Sequence, residues 1–308
     1  MYKTAQIVWK ECLAFKKNEK ALIIYDKDKE EIAKTLFDVG KEISSCELLL
    51  MPKTTRAGEE PSDSVREKIL SGFNVIVAPT TFSLTHTNAI QSTLKQGARI
   101  VTMPGITKDT FLRAIPLDYI TLKKTNDELI EKLQGNKFHV ETRLGTDITL
   151  FRGKKSKERK FHNCCGIAHE SGKLLNLPDG EVAFAPLEKK SEGKIVIDAT
   201  CMGLVKKPFK IYVEGGEMVD CENKDLWKLL TSVDKGTNLA ELGIGTNPKA
   251  KIVGLTFEDE KVLGTAHIAF GTNKSLGGKV QNSVHIDNVF YKPTISVDGK
   301  VVIEEGKF

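Results

Sequence analysis

Four ionisable residues interrupt apolar stretches between residues 238 and 290. They are Glu241, His267, His285 and Asp287. The flanking sequences, such as Leu239-Ala-Glu-Leu-Gly-Ile-Gly, are typical of buried strands, in which an unpaired carboxylate is strongly unfavourable. If all four side chains converged on one divalent cation, the ion would offset the free-energy cost of burying them. Two histidines and carboxylates with open coordination positions describe either a catalytic zinc-type centre or a non-haem Fe(II) site.

The spacing of His285 and Asp287 suits a chelate. Residues two apart in an extended strand project to the same side, so the two side chains would face one ion. An ordinary half-exposed strand shows the same alternation, and His267 alone could equally be a hydrogen-bonded core histidine. The prediction of a metal site therefore depends on these residues acting together.

A further carboxylate follows a turn signal. Pro-Asp-Gly at 178–180 predicts a turn that places Glu181 at the start of the apolar run Val-Ala-Phe-Ala. Glu181 could hold a second metal or act as a general base. The alternative is an ordinary turn with an exposed glutamate.

The elements that would position these residues belong to the second of two predicted domains. In residues 1–136, short apolar runs beginning at Lys20, Cys46, Asn74 and Ala98 alternate with helical segments. This pattern predicts an α/β, doubly wound domain with a parallel sheet. The domain lacks the Gly-x-Gly-x-x-Gly and Gly-Lys-Ser/Thr loops, so nucleotide binding is not predicted.

Residues 137–308 are predicted to form a sheet-rich α+β domain that carries the metal site. Strand-like runs alternate there with Gly-containing turns, and Lys224–Ser232 is the clear helix candidate. The predicted strands are Phe138–Arg143, Thr146–Phe151, Lys194–Ala199, Lys210–Glu214, Lys251–Phe257 and Ile295–Ile303.

Composition and charge limit which partners and which cellular compartment we expect for this chain. The 308 residues favour two domains, and the net charge of +5 is mild and dispersed, which argues against nucleic acid as the main partner. The basic run from Arg152 to Lys160 is interpreted as an exposed hairpin tip. The N-terminus lacks a signal-peptide pattern, and no apolar stretch approaches the length of a membrane span. A cytoplasmic protein with reduced cysteines and no membrane partner is therefore expected.

Four motifs, taken in order, resemble the thermophilic aminopeptidase T (leucyl aminopeptidase) family of metallopeptidases. They are Leu177-Pro-Asp-Gly-Glu-Val, Leu239-Ala-Glu-Leu-Gly-Ile-Gly, Gly264-Thr-Ala-His-Ile-Ala-Phe-Gly and Ser283-Val-His-Ile-Asp. The resemblance implies a two-domain homodimer that binds one or two divalent ions such as Zn, Co or Mn. Carried over by motif, the metal ligands would be Glu181, Glu241, His267, His285 and Asp287.

Two departures from that family keep other functions open. The peptidases have a metal-site tyrosine where this chain has the region around Lys274, and the segment from His267 to His285 is shorter here. The same superfamily includes 2,5-dihydroxypyridine dioxygenase, whose resemblance implies one Fe(II) held by His267, His285 and Asp287. A third possibility is a non-catalytic binding protein in which Lys274 fills a vacated cation site.

The main prediction is a metallo-aminopeptidase that removes N-terminal residues from short peptides. Metal ions would lower the pKa of a bridging water, and Glu181 or Glu241 would carry its proton to the leaving amine. The ring-cleaving dioxygenase, acting on a small aromatic molecule, is the first alternative.

Overall fold

A computed structural model describes residues 1–153 and 159–308 of the chain. These residues form two compact units. Unit 1 comprises Met1–Tyr119 and Cys165–Asp179, and unit 2 comprises Ile120–Cys164 and Gly180–Phe308. The sequence predicts a single boundary at residue 136. In the structure, unit 1 also contains the segment Cys165–Asp179 from the second half of the chain.

The strands are listed here in chain order. They are β1 (Lys20–Tyr25), β2 (Ser45–Leu50), β3 (Val75–Ala78), β4 (Arg99–Thr102), β5 (Lys137–Glu141), β6 (Asp147–Phe151), β7 (His162–Cys164), β8 (Leu174–Asn176), β9 (Glu181–Phe184), β10 (Glu192–Ile197), β11 (Thr200–Cys201), β12 (Phe209–Glu214), β13 (Glu217–Cys221), β14 (Leu239–Gly245), β15 (Thr265–Gly271), β16 (His285–Tyr291), β17 (Thr294–Val297) and β18 (Lys300–Ile303).

The helices are short. They are α1 (Tyr2–Ile7), α2 (Glu30–Lys41), α3 (Asp63–Ile69), α4 (Asn88–Lys95), α5 (Lys108–Arg113), α6 (Tyr119–Lys132), α7 (Lys224–Thr231) and α8 (Thr256–Asp259), with a π-helical turn at Val8–Cys12 and 3₁₀ turns at Lys27–Lys29 and Lys274–Leu276. Within the described ranges, none of the helices has both the length and the apolar character to cross a bilayer.

Unit 1 is built on a five-stranded parallel sheet in the order β2-β1-β3-β4-β8. All residues of β3 and β4 are buried, as expected for central strands covered on both faces. The predicted α/β fold with a parallel sheet is therefore confirmed. The edge strand β8 was not predicted, because its three residues are too few to show a pattern.

Unit 2 contains two antiparallel sheets, in the orders β13-β12-β10-β6-β5-β17-β18 and β11-β16-β15-β14-β9-β7. We call the second of these the site sheet. Residues from both sheets share one hydrophobic core, in which the ring centroids of Phe138 and Phe184 lie 4.6 Å apart. The predicted sheet-rich second half is confirmed.

One predicted strand, Lys251–Phe257, is wrong. Residues 251–255 form a loop whose backbone N–H groups bond to side chains, and Thr256 and Phe257 are the first residues of α8. Lys251 N–H donates to the carboxylate of Glu258, and the N–H groups of Val253 and Gly254 donate to Asp259. These donors are therefore not available for pairing with another strand.

The interpretation of the basic run as an exposed tip is wrong for two of its arginines. The guanidinium of Arg152 donates to the carbonyls of Gly135 and Arg159, and Arg159 forms an ion pair with Glu188 at 2.5 Å. Both arginines are buried. The middle of the run, residues 154–158, lies outside the described residues.

The shared core of unit 2 yields a stability prediction. Leu242 on β14 is fully buried in that core, whereas the side chain of Leu144 is 56% exposed. Leu242→Ala should lower the free energy of unfolding by about 2–5 kcal/mol, because it removes buried methyl groups and leaves a cavity. The matched Leu144→Ala should change it by less than about 0.5 kcal/mol. Urea denaturation measures both, and equal losses would contradict the assigned core.

Candidate metal centre

Four neighbouring strands of the site sheet carry the predicted site residues. Along β14, Leu242 and Ile244 point into the hydrophobic core. Because side chains alternate across a strand, Glu241 and Gly243 face the opposite side of the sheet. The same alternation on β9 places Glu181 on that side and Val182 in the core.

Strand register then brings residues from distant parts of the chain together. Glu241 lies opposite Ala269, and Ala269 lies opposite Asp287, so two carboxylates flank a small side chain. His267 lies opposite Gly243 on the next row. The register of β14 shifts between Leu239 and Glu241, and such a bulge re-aims the side chain that follows it.

Gly243 makes room for the imidazole of His267. A Cβ atom at this position would overlap Cε1 and Nε2 of the ring. The requirement for glycine here is therefore steric: the ring lies directly against the backbone of β14.

His285 is oriented by its two ring nitrogens. Nδ1 donates to the carbonyl oxygen of Thr272 at 2.7 Å. Nε2 lies 2.9 Å from Oε2 of Glu241 and 3.4 Å from Oδ1 of Asp287. A backbone carbonyl on Nδ1 is the arrangement that directs Nε2 of a metal-ligating histidine toward its ion.

His267 occupies the deepest part of the cluster. Its Nε2 lies 3.5 Å from Oε2 of Glu181, 3.6 Å from Oε1 of Glu241 and 3.9 Å from Oδ1 of Asp287. The residue is 1% exposed. All five residues named from the sequence as metal ligands are thus brought together, and the alternative of an exposed Glu181 is wrong.

Two members of the cluster were missed by sequence reasoning. Lys261 is buried, and its Nζ lies 2.6 Å from Oε1 of Glu181 and 2.6 Å from Oε1 of Glu260. The run Glu-Asp-Glu-Lys at 258–261 has the composition of an exposed helix end, which hid their role. Lys274, the lysine considered from the sequence, is exposed.

The charges of the cluster perturb one another. Burial opposes a charged imidazole, yet the nearby carboxylates of Glu241, Glu181 and Asp287 raise the pKa of His267 to about 9. Burial is likewise outweighed at His285, whose pKa is raised well above its ordinary value by Asp287 and Glu241. Despite burial, the two imidazoles lower the pKa of Glu241 and of Asp287. Burial itself raises the pKa of Glu260 to about 8.

The cluster has the donors that a divalent ion requires. Three groups of residues each offer ligand atoms within 4.8 Å of one another: Glu181, Glu241 and His267; Glu241, His285 and Asp287; Glu260, His267 and Asp287. Oε2 of Glu181 is buried and makes no hydrogen bond within the described part of the chain. Imidazole nitrogens with carboxylate oxygens suit zinc, iron or a similar transition metal.

A family model for 2,5-dihydroxypyridine 5,6-dioxygenase matches residues 49–308. The chain belongs to this family. The solved structure of 2,5-dihydroxypyridine dioxygenase from Pseudomonas putida is similar, with a TM-score of 0.82 and 16% identity over 99% of this chain and 96% of that one. AmpT from Thermus thermophilus has a TM-score of 0.75 and 15% identity over 100% of this chain and 98% of that one. No curated protein sequence matches the chain.

These comparisons confirm the resemblance stated from the four motifs. At such low identity the two solved structures show a shared fold, and the family is shown by the sequence match. That match supports the dioxygenase alternative better than the aminopeptidase of the main prediction.

The steric role of Gly243 can be tested. Gly243→Ala should displace the ring of His267 and weaken Mn(II) binding by about tenfold or more. A loss of this size is typical when a residue that orients a metal ligand is changed. Titration calorimetry measures this affinity. Ile244→Val, the next residue on the same strand, points into the core and should leave the affinity unchanged while costing about 0.5–1.5 kcal/mol of stability. Equal affinity in the Gly243→Ala variant would show that the ring does not bind the ion.

The raised histidine pKa values predict linked proton release. With a folded pKa of about 9 against an ordinary value of 6.5, His267 is protonated at pH 7 before an ion binds, and a ligating imidazole must be neutral. Mn(II) binding should therefore release at least one proton at pH 7, and affinity should rise between pH 6.5 and 9.

Calorimetry in buffers of different ionisation enthalpy counts the protons released. Without the ion, the charged imidazole stabilises the fold below pH 6.5, and that contribution is lost as the pH rises through 9. His139→Ala, at a half-buried histidine on β5, should leave proton release unchanged. Ion binding without proton release would contradict the assignment of the ligands.

Proposed function

We propose that this protein is a non-haem Fe(II) dioxygenase that opens the ring of a dihydroxypyridine-type substrate. The observation that carries the proposal is the convergence of two imidazole Nε2 atoms and the Asp287 carboxylate in one cluster, in a chain whose family match is to ring-cleaving dioxygenases. Two histidines and one carboxylate form the facial ligand set of non-haem Fe(II) oxygenases.

In this proposal His267, His285 and Asp287 hold the iron. When bound, Fe(II) supplies the one-electron chemistry that lets dioxygen react with an aromatic ring. The substrate approaches from the side of His285 and Asp287, whose side chains are 25% and 13% exposed, against 1% for His267.

Glu241 is the group that we assign to proton transfer. Its carboxylate lies beside both imidazoles, with Oε2 2.9 Å from Nε2 of His285 and Oε1 3.6 Å from Nε2 of His267. An ionised carboxylate there can accept a proton from a ring hydroxyl of the substrate, which makes the ring more electron-rich. Glu181 is less suited to this role, because one of its oxygens is held by Lys261.

The aminopeptidase prediction has weaker support. That prediction requires a pair of metal ions, with Glu181 as a ligand of the second metal or as the base. In the structure, Glu181 instead forms an ion pair with the buried Lys261. The hypothesis of an inactive binding protein requires Lys274 to fill a vacated cation site, but Lys274 is exposed. A small-molecule substrate and a homodimer remain predictions, and light scattering during gel filtration tests the latter.

Oxygen uptake tests the proposed reaction. The purified protein, loaded with Fe(II) without air, should consume dioxygen when 2,5-dihydroxypyridine is added, and the product mass should include both atoms of ¹⁸O₂. His285→Ala and Asp287→Ala should each lower the rate by about 100-fold or more. Mutating residues that only support a metal ligand already lowers metal affinity or activity by about 10–100-fold, and these two residues are themselves proposed ligands. His139→Ala is the matched control and should retain the rate.

Two results would contradict the proposal. One is hydrolysis of leucine amides by the Zn, Co or Mn form with no oxygen uptake by the Fe(II) form. The other is oxygen uptake that persists unchanged in Asp287→Ala.

A further inference from the structure

Lys261 places a positive charge inside the cluster. Its side chain is 3% exposed, and Nζ lies 2.6 Å from both Glu181 and Glu260. The two carboxylates belong to different candidate metal groups, one with Glu241 and His267 and the other with His267 and Asp287. The ammonium therefore binds oxygens that an ion would otherwise use.

The backbone holds Lys261 in this place. Its carbonyl accepts a hydrogen bond from the N–H of Asn247 at 2.8 Å, and its N–H donates to the carbonyl of Glu258 at 3.0 Å. The next residue, Val262, lies so close to β14 that its carbonyl would overlap a Cβ at Gly245. The loop that carries Lys261 is thus held against the end of β14, the strand that carries Glu241.

A lysine ammonium can replace a cation in electrostatic terms. It is a compact charge with three donors and, unlike a metal ion, it has no open coordination position. Buried carboxylates need a partner of opposite charge, and removing that partner is strongly destabilising. Here the ammonium pairs with one oxygen of Glu181 and one oxygen of Glu260 at the closed end of the cluster, whereas His285 and Asp287 lie at the more exposed end.

We propose that Lys261 occupies a second cation position and thereby limits the site to one divalent ion. The inference rests on the metal centre of the proposed function, but not on its substrate or its reaction. Lys261 is a positioning residue in this account: it sets the number of ions and holds Glu181 and Glu260 in place.

The number of bound ions tests this directly. Wild-type protein, stripped with a chelator and dialysed against Mn(II), should contain one Mn per chain. Lys261→Met, which keeps the unbranched side chain as far as the ε-carbon and removes the ammonium, should contain two. The two ions should show the spin–spin coupling of a close Mn pair by electron paramagnetic resonance, and Lys274→Met, at an exposed lysine, should behave as wild type.

A second variant controls for unfolding. Lys261→Met combined with Glu260→Gln removes the ammonium together with one carboxylate, so it should fold and bind one Mn, with a second ion at least about tenfold weaker than in Lys261→Met. If Lys261→Met is unfolded without metal, added Mn(II) should fold it, and this folding should saturate at two ions per chain.

Three outcomes would overturn the inference. They are two Mn in the wild-type chain, one Mn in a folded Lys261→Met chain, and a Lys261→Met chain that stays unfolded at every Mn(II) concentration. One Mn in wild type and two in Lys261→Met, with no oxygen uptake by the Fe(II) form, would refute the proposed function and leave this inference standing. Wild-type protein that binds no ion would refute both.

Discussion

Three buried carboxylates, those of Glu181, Glu241 and Glu260, and the half-buried carboxylate of Asp287 lie within one cluster of unit 2. Their mutual repulsion and their loss of hydration are the constraint on which the rest of the site depends, because buried charges are tolerated only when they are paired. Among the described residues, Lys261 supplies the one buried ammonium of this cluster. Two imidazoles supply the remaining positive charge by binding protons, and they are also the groups that can exchange those protons for an ion.

The fold meets this constraint through strand pairing. The site sheet places its polar residues on one face and its aliphatic residues in the core shared with the neighbouring sheet. On the polar face the positions between the ionisable groups are small, with Gly243 beside His267 and Ala269 between Glu241 and Asp287. The small residues leave the space in which long side chains from separate strands meet. The hydrophobic core behind the sheet supports the strands that carry the donor atoms.

Much of this could be predicted from the sequence, for reasons that are local. Strands of a parallel sheet have continuous apolar runs, so β1 to β4 were recognisable, and apolar flanks drew attention to Glu241 and His267. Lys261 and Glu260 could not be recognised, because a charged run beside a short helix is usually exposed. Here it is buried by contact with the segment that follows β14, where the N–H of Asn247 donates to the carbonyl of Lys261. The segment Lys251–Phe257 failed for a related reason: its apolar residues indicate a strand, but the carboxylates of Glu258 and Asp259 bind its backbone.

The central claim is that a single transition-metal ion is shared by side chains from separate strands. Anomalous X-ray scattering from crystals of the Fe(II)-loaded protein, recorded on both sides of the iron absorption edge, locates the ion and counts it. The account predicts one peak per chain, in direct contact with Nε2 of His267, Nε2 of His285 and a carboxylate oxygen of Asp287. A peak bound by only one of the two histidines, or a second peak in contact with Glu181 and Glu260, would contradict it.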